Sequence, residues 1–188
     1  MRIIYYICVM KKNLLFILLF LIPILGVSQS VEFGFPQKDT NRYVKFVGLD
    51  KFDSISLKLS SLSISEYFGF KTKVSNDGFS INKYFTQGVT FVDANLLLSN
   101  VYNDTVTVYI TNHPLVVDDG FVRGISLPDY STVLVDGRRE DLINTIIHEL
   151  GHVLGLHHCE NIKCVMSEDN EYDTSIKFCE HCLKEINN

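Results

Sequence analysis

The chain reads as an α+β protein, a twisted mixed sheet backed by helices, and three observations point that way. Short β-branched runs are interleaved with longer stretches whose apolar residues recur at helical spacing. One late stretch, Glu140 to Leu154, is amphipathic at helical period and carries a histidine pair four residues apart. Every cysteine except Cys8 follows that stretch, in two close pairs. They predict a small cysteine-stapled part, 158–188, at the end of a domain covering 29–188.

Arg42 to Val47 alternates apolar and polar residues and predicts a strand. Lys51 to Phe68 places Phe52, Ile55, Leu59, Leu62 and Phe68 at near-helical spacing and stops at Gly69, which predicts a helix. Its serines and the Leu57/Leu59 alternation pull the other way. Phe70 to Ser75 predicts a strand closed by the turn Asn76-Asp77-Gly78. Val89 to Tyr102, dense around Leu96-Leu97-Leu98, predicts a buried backing helix. Asp104 to Thr111, D-T-V-T-V-Y-I-T, is the clearest strand in the chain.

A loop with Pro114 and Asp118-Asp119-Gly120 follows. Phe121 to Ser126 and Ser131 to Val135 predict two short strands on either side of Pro128. Asp136-Gly137 then turns into the late helix. Glu140 and Asp141 fall in its expected first turn, where acids complement the helix dipole. Leu142, Ile143, Ile146, Leu150, Val153 and Leu154 form its expected buried face, which leaves the histidines on a cleft. His113, in the Pro114 loop, reads as a surface residue.

At 188 residues the chain is one domain with room for a sizeable core. Lys11 and Lys12 precede an apolar run, Leu14 to Leu25, closed by Gly26-Val27-Ser28. A charged start, an apolar run and small residues at a cleavage point make 1–28 a secretory signal peptide, with Met10 an alternative start. The expected location is secreted or periplasmic. The run falls short of a membrane span of about 20 residues, so stable insertion after cleavage is not expected, and an uncleaved N-terminal anchor is the alternative. Removing Arg2, Lys11 and Lys12 with an acid-free leader takes the formal charge from −5 to −8. An acidic protein without basic clusters excludes nucleic acid as a partner.

The late helix carries the chemistry. His148-Glu149-x-x-His152 sets two imidazoles on one helix face, one turn apart, where they can grip a single ion. Zinc suits imidazole nitrogen and tetrahedral geometry, but a catalytic site usually has three protein ligands. Gly155 falls where the helix must stop, since glycine takes the left-handed conformation without a Cβ penalty. The chain can then turn back and present His158, completing H-E-x-x-H-x-x-G-x-x-H with a fourth position open. Glu149 flanks the first ligand and can reach a metal-bound water as general base. Adding Gly155 and His158 makes coincidence roughly four-hundredfold rarer than for the first three residues alone. His157 adjoins His158 and could trade places with it, though the spacing favours His158.

Beyond His158 the succession H-C-x4-C-x-M and then C-x-x-C (Cys159, Cys164, Met166, Cys179, Cys182) resembles the archaemetzincins, a branch of the metzincin metallopeptidases. The match covers about the last forty residues. It departs from the family pattern in a short gap between Met166 and Cys179 and in its export signal. The resemblance implies a zincin-like fold and a catalytic zinc on His148, His152 and His158, with Glu149 as base. It implies a second, structural zinc on Cys159, Cys164, Cys179 and Cys182, and a turn that sets Met166 beneath the catalytic ion. It also implies that Phe121 to Ser126 is the edge strand along which an extended peptide pairs. From the residues alone the four cysteines fit either a closed zinc site or two disulfides, since export favours the latter.

The function these features imply is zinc-dependent hydrolysis of a peptide or protein substrate. The alternative from another class is a catalytically inactive, zinc-stabilised binding module that keeps the fold. Against it stands Glu149, because a purely structural metal has no use for a carboxylate base at that spacing.

Overall fold

The structure is a computed structural model that describes residues 33–34, 36–75, 80–85, 90–101, 103–118, 120–168 and 176–187. The segment 1–28, expected as a signal peptide, and the turn expected at Asn76-Asp77-Gly78 lie outside them. All described residues belong to one unit, 32–188.

The chain enters through β1 (Phe33–Gly34) and β2 (Tyr43–Gly48), and continues with α1 (Ser54–Phe68), β3 (Lys71–Ser75), β4 (Val92–Asp93) and α2 (Ala94–Leu98). Then come β5 (Val106–Thr111), β6 (Leu115–Val117), β7 (Gly120–Val122), β8 (Gly124–Leu127) and β9 (Thr132–Asp136). The late helix is α3 (Leu142–Val153), and β10 (Phe178–Cys179) and α4 (Glu180–Ile186) complete the described chain.

The central sheet runs β3-β2-β5-β9-β8. Its first four strands are parallel, and β8 pairs antiparallel with β9 as one edge. The other edge, β3, carries Lys71 and Lys73, charges that discourage edge-to-edge association. Because the central strands are covered on both faces, they read as near-continuous apolar runs. Val44, Phe46, Val108, Ile110, Val133 and Val135 point into a cluster shared with α1 and α3. Val47, Tyr109 and Leu134 point the other way, into a second cluster with α2 and Leu115. The four C-terminal cysteines are part of the first cluster or packed against it, so the cysteine segment shares the main core.

The structure corrects several expectations. The backing helix expected over Val89 to Tyr102 shrinks to the five residues of α2. Asp93 caps its start by accepting from Leu96 N at 2.9 Å, and Ser99 Oγ and Asn100 Nδ2 both donate to Leu96 O, which ends it. Leu115–Val117, expected as loop, is a strand beside β4 and β7. The strand expected over Phe121 to Ser126 divides at Arg123. Its first half joins that small sheet and its second becomes the edge of the large one. Arg123 O accepts from Asp136 N at 2.9 Å, and its guanidinium pairs with Asp141 at 3.1 Å, so the break is tied to the start of α3.

Helix α1 forms where expected, capped by Asp53 and ended by Gly69 at φ 79°. The residues that carry the helical spacing do not share one environment. Leu57, Ser60, Ser61, Ile64, Tyr67 and Phe68 face the sheet, whereas Ile55, Leu59 and Leu62 are 68%, 58% and 53% exposed. A helix apolar on two opposite sides offers the sheet two stripes, and the one with small serines lets α1 lie closer. Ile64→Ala is therefore expected to cost about 3 kcal/mol in urea denaturation, whereas Leu59→Lys stays within about 0.5 kcal/mol. The reverse ranking would mean that the leucine stripe is the packed one.

Candidate metal centre and catalytic cleft

Helix α3 begins at Leu142, so Glu140 and Asp141 lie ahead of its first turn instead of in it. Its inward face is Thr145, Ile146, Ile147, Glu149, Leu150 and Gly151, with Leu142, Ile143, Val153 and Leu154 half-buried at its margins. The helix ends as the glycine foretold. Leu156 N donates to Gly151 O at 3.0 Å and Gly155 N to His152 O at 2.9 Å, the paired bonds of a Schellman ending, with Gly155 at φ 96°.

That ending serves the site directly. Leu156 O, delivered by the turn, accepts from His152 Nδ1 at 2.8 Å. Val165 O accepts from His148 Nδ1 at 2.8 Å. A carbonyl can only accept, so both Nδ1 atoms carry the proton and both Nε2 lone pairs point inward. His158 comes round on the far side, and one ring nitrogen from each of His148, His152 and His158 lies within 4.8 Å of the others. Glu168 stands 3.7 Å from His158 Nδ1, beyond hydrogen-bond reach. His157 is exposed and outside the triad, although it lines the cleft. His113 is half-buried, 3.5 Å from Asp50 and edge-on to Phe85, and is not among the residues of this cluster.

Two lone pairs facing each other with Nε2 atoms 3.1 Å apart repel unless something positive sits between them. A proton is disfavoured there: burial holds the His148 pKa down to about 4, and burial likewise lowers that of His152. Neutral imidazoles with converging lone pairs are the donor set zinc takes, so these residues fit the ion.

Met166 packs under this arrangement. Its sulfur crowds the position a Cβ on Gly151 would take, so a larger residue just before His152 would have to displace the Met166 thioether. Cys159 N donates to Met166 O at 2.9 Å, which locks the segment leaving His158 to the Met166 turn.

Glu149 is 7% exposed and lies against β8. Burial pushes its pKa up to about 7, while Ser126 Oγ, donating to Oε2 at 2.8 Å, pulls the other way. A cavity of about 620 Å³ opens over the site, lined by Glu149, the three histidines, His157 and residues of β8. Phe121 to Ser126 was expected as an edge along the cleft, but the contacts of Gly124 and Ser126 with Glu149 were not. Their signal was the spacing Gly124-x-Ser126 on a strand, which puts both on one face.

The four cysteines gather immediately behind. Sγ–Sγ distances are 3.6 Å for Cys159–Cys179 and 3.7 Å for Cys164–Cys182 and Cys179–Cys182. None of the four is disulfide-bonded. A tetrahedral zinc with Zn–S of about 2.3 Å requires sulfurs about 3.8 Å apart, so the cluster fits a second, closed site. The contact with Cys182 Sγ and the bond from Cys179 N lower the Cys164 thiol, while the same contact raises that of Cys182, so the four sulfurs titrate as a group and share one proton set that a metal would displace. Pairing of β1 with β10 and the short helix α4 carry Cys179 and Cys182 to this place.

Comparison with known proteins agrees with this geometry. Residues 138–188 match the sequence model of Peptidase family M54. Archaemetzincin of Pyrococcus horikoshii is 48% identical over 52 residues, 26% of this chain and 28% of that protein. Archaemetzincin of Pyrococcus furiosus is 35% identical over 86 residues, 35% of this chain and 45% of that protein. The chain thus spans less than half the length of the curated relatives it matches. In structure it resembles archaemetzincin from Archaeoglobus fulgidus, solved with malonate, at a TM-score of 0.67 and 21% identity, over 76% of this chain and 99% of that one. It also resembles archaemetzincin from Methanopyrus kandleri, at a TM-score of 0.64 and 21% identity, over 77% of this chain and 93% of that one. The fold is therefore zincin-like. Within that class the chain is archaemetzincin-like, in its metal-binding end by sequence and across the sheet by fold.

Proposed function

We propose that the protein is a zinc-dependent peptidase with Glu149 as general base. The observation that carries this reading is the convergence of His148, His152 and His158, two of them held by carbonyls, beside a buried carboxylate in an open cleft. The likeness to archaemetzincins supports it.

The three imidazoles would hold the catalytic ion, and Cys159, Cys164, Cys179 and Cys182 the structural one. Bound zinc supplies Lewis-acid polarisation and lowers the pKa of a water. Glu149 takes the proton from the attacking water and returns it to the leaving amine, so one carboxylate serves as base and then acid. Among the described residues no strand pairs with the outer side of β8, and an extended peptide can lie along it, giving a peptide or protein substrate its direction. A carboxylate buried beside the three histidines at the floor of the cleft has no role in an inactive binding module, which is why hydrolysis is preferred over that reading.

Export through residues 1–28 is part of the same proposal, supported by Lys11-Lys12 and the Leu14–Leu25 run. The test is metal analysis and inhibitor binding on exported protein. Two zincs per chain, a mature N-terminus near Gln29, and hydroxamate binding that His158→Ala abolishes are expected. Hydroxamate affinity indifferent to His158, or a chain that binds no zinc, would sink the reading.

A further inference from the structure

Strand β8 also shapes the base itself. Side chains alternate along a strand, and Ile125 and Leu127 pack into the cluster on the far side of the sheet. Gly124 and Ser126 therefore face α3. At Gly124 there is no spare room: a Cβ there would come within 2.9 Å of Glu149 Cγ, 2.9 Å of Thr145 Cγ2 and 3.0 Å of Glu149 Oε1. One strand position on, Ser126 Oγ donates to Glu149 Oε2 at 2.8 Å. The glutamate side chain is thus laid into a notch made by the missing side chain at 124 and fastened by the hydroxyl at 126.

We propose that Ser126 is a positioning residue for the base: its hydroxyl pins Oε2 of Glu149 to β8, so that Oε1 is the oxygen left to receive the proton. This rests on the peptidase reading of Glu149. The physical need is plain. Glu149 has three rotatable side-chain bonds, and the notch at Gly124 meets its Cγ and Oε1 by shape alone. A donor on the strand restricts the carboxylate in a way that apolar contact cannot, because a hydrogen bond to a charged oxygen is directional and about twice as strong as a neutral one. Ser126 does this through another residue; as its side chain turns towards α3, it leaves the outer edge of β8 free for substrate.

The test compares Ser126→Ala and Ser126→Thr with the native protein, reading kcat, KM and zinc content on a fluorogenic peptide. Its second readout is the position of the Glu149 carboxylate in crystals of the metal-free Ser126→Ala protein. Loss of one such bond predicts a kcat lowered about tenfold with KM and zinc content unchanged, and recovery with threonine, which keeps the hydroxyl. The crystals should show the carboxylate off β8. A kcat within twofold of native, a change confined to KM, or a carboxylate that stays on β8 in the alanine variant would each overturn the assignment. Should the native protein cleave no peptide at all, the peptidase reading fails by itself and the carboxylate position alone decides the role of Ser126.

Discussion

Replacing Glu149 by glutamine is expected to lower kcat about a thousandfold while both zincs stay bound, and to make the metal-free protein harder to unfold in alkali. The loss follows from removing a general base, which contributes roughly 10²–10⁴ in rate. The gain in stability has a different origin. Burial raises the folded pKa of Glu149 to about 7 from 4.5, so the folded state prefers the neutral acid. Its favourable contribution is complete below pH 4.5 and is lost as pH rises through 7, because the buried side chain must then carry a charge. Across that window the difference approaches 3 kcal/mol, to order of magnitude. Glutamine never ionises. Urea denaturation of the metal-free proteins should therefore show the variant about 2–3 kcal/mol more stable at pH 8 and no different near pH 4. Equal stability of the two proteins at pH 8 would mean that Glu149 is not desolvated in the fold. The opposed effects on rate and stability mark a residue kept at an energetic cost for what it does.

Cys164→Ser is expected to have the largest effect on stability. Cys164 is fully buried, accepts from Cys179 N, donates to Cys182 Sγ, and lies in the cluster that also holds Met166 and Phe178. Breaking a four-thiolate site forfeits much of a binding energy of about 10–16 kcal/mol, part of it recovered by the hydrated ligands that remain. A net loss of about 5 kcal/mol or more would lower Tm by about 10–20 °C for a chain of this size. Because Cys159 follows His158 directly and bonds to Met166, the damage should reach the histidine site. Zinc content should fall by one per chain, and hydroxamate affinity should drop although no histidine was touched. If Tm and affinity both hold, the cysteines are not what keeps His158 in place.

How much could be foreseen depends on the range of the interactions involved. The metal centre is encoded within eleven consecutive residues, and helix geometry plus one glycine suffices to converge His148, His152 and His158. Strand β5 was legible for the same reason, since β-branched alternation is local. Helix α1 was found but its facing was not, because Ile55, Leu59 and Leu62 match helical period as well as the residues that are buried. Only contact with β2 and β3 chooses between the stripes. The helix expected over Val89 to Tyr102 fails because side chains of Ser99 and Asn100 compete for Leu96 O, an effect periodicity does not register.

By itself, the order of residues determined which atoms could hold metal, where α3 must end, and that a cysteine cluster would follow. Tertiary structure decided the rest: that Arg123 divides one strand between two sheets, and that carbonyls of Leu156 and Val165 set the imidazole tautomers. It also decided that Gly124 and Ser126 of a distant strand cradle Glu149. The physical reason is that a helix brings its own neighbours together every turn, whereas a strand meets its partners only after the sheet has closed.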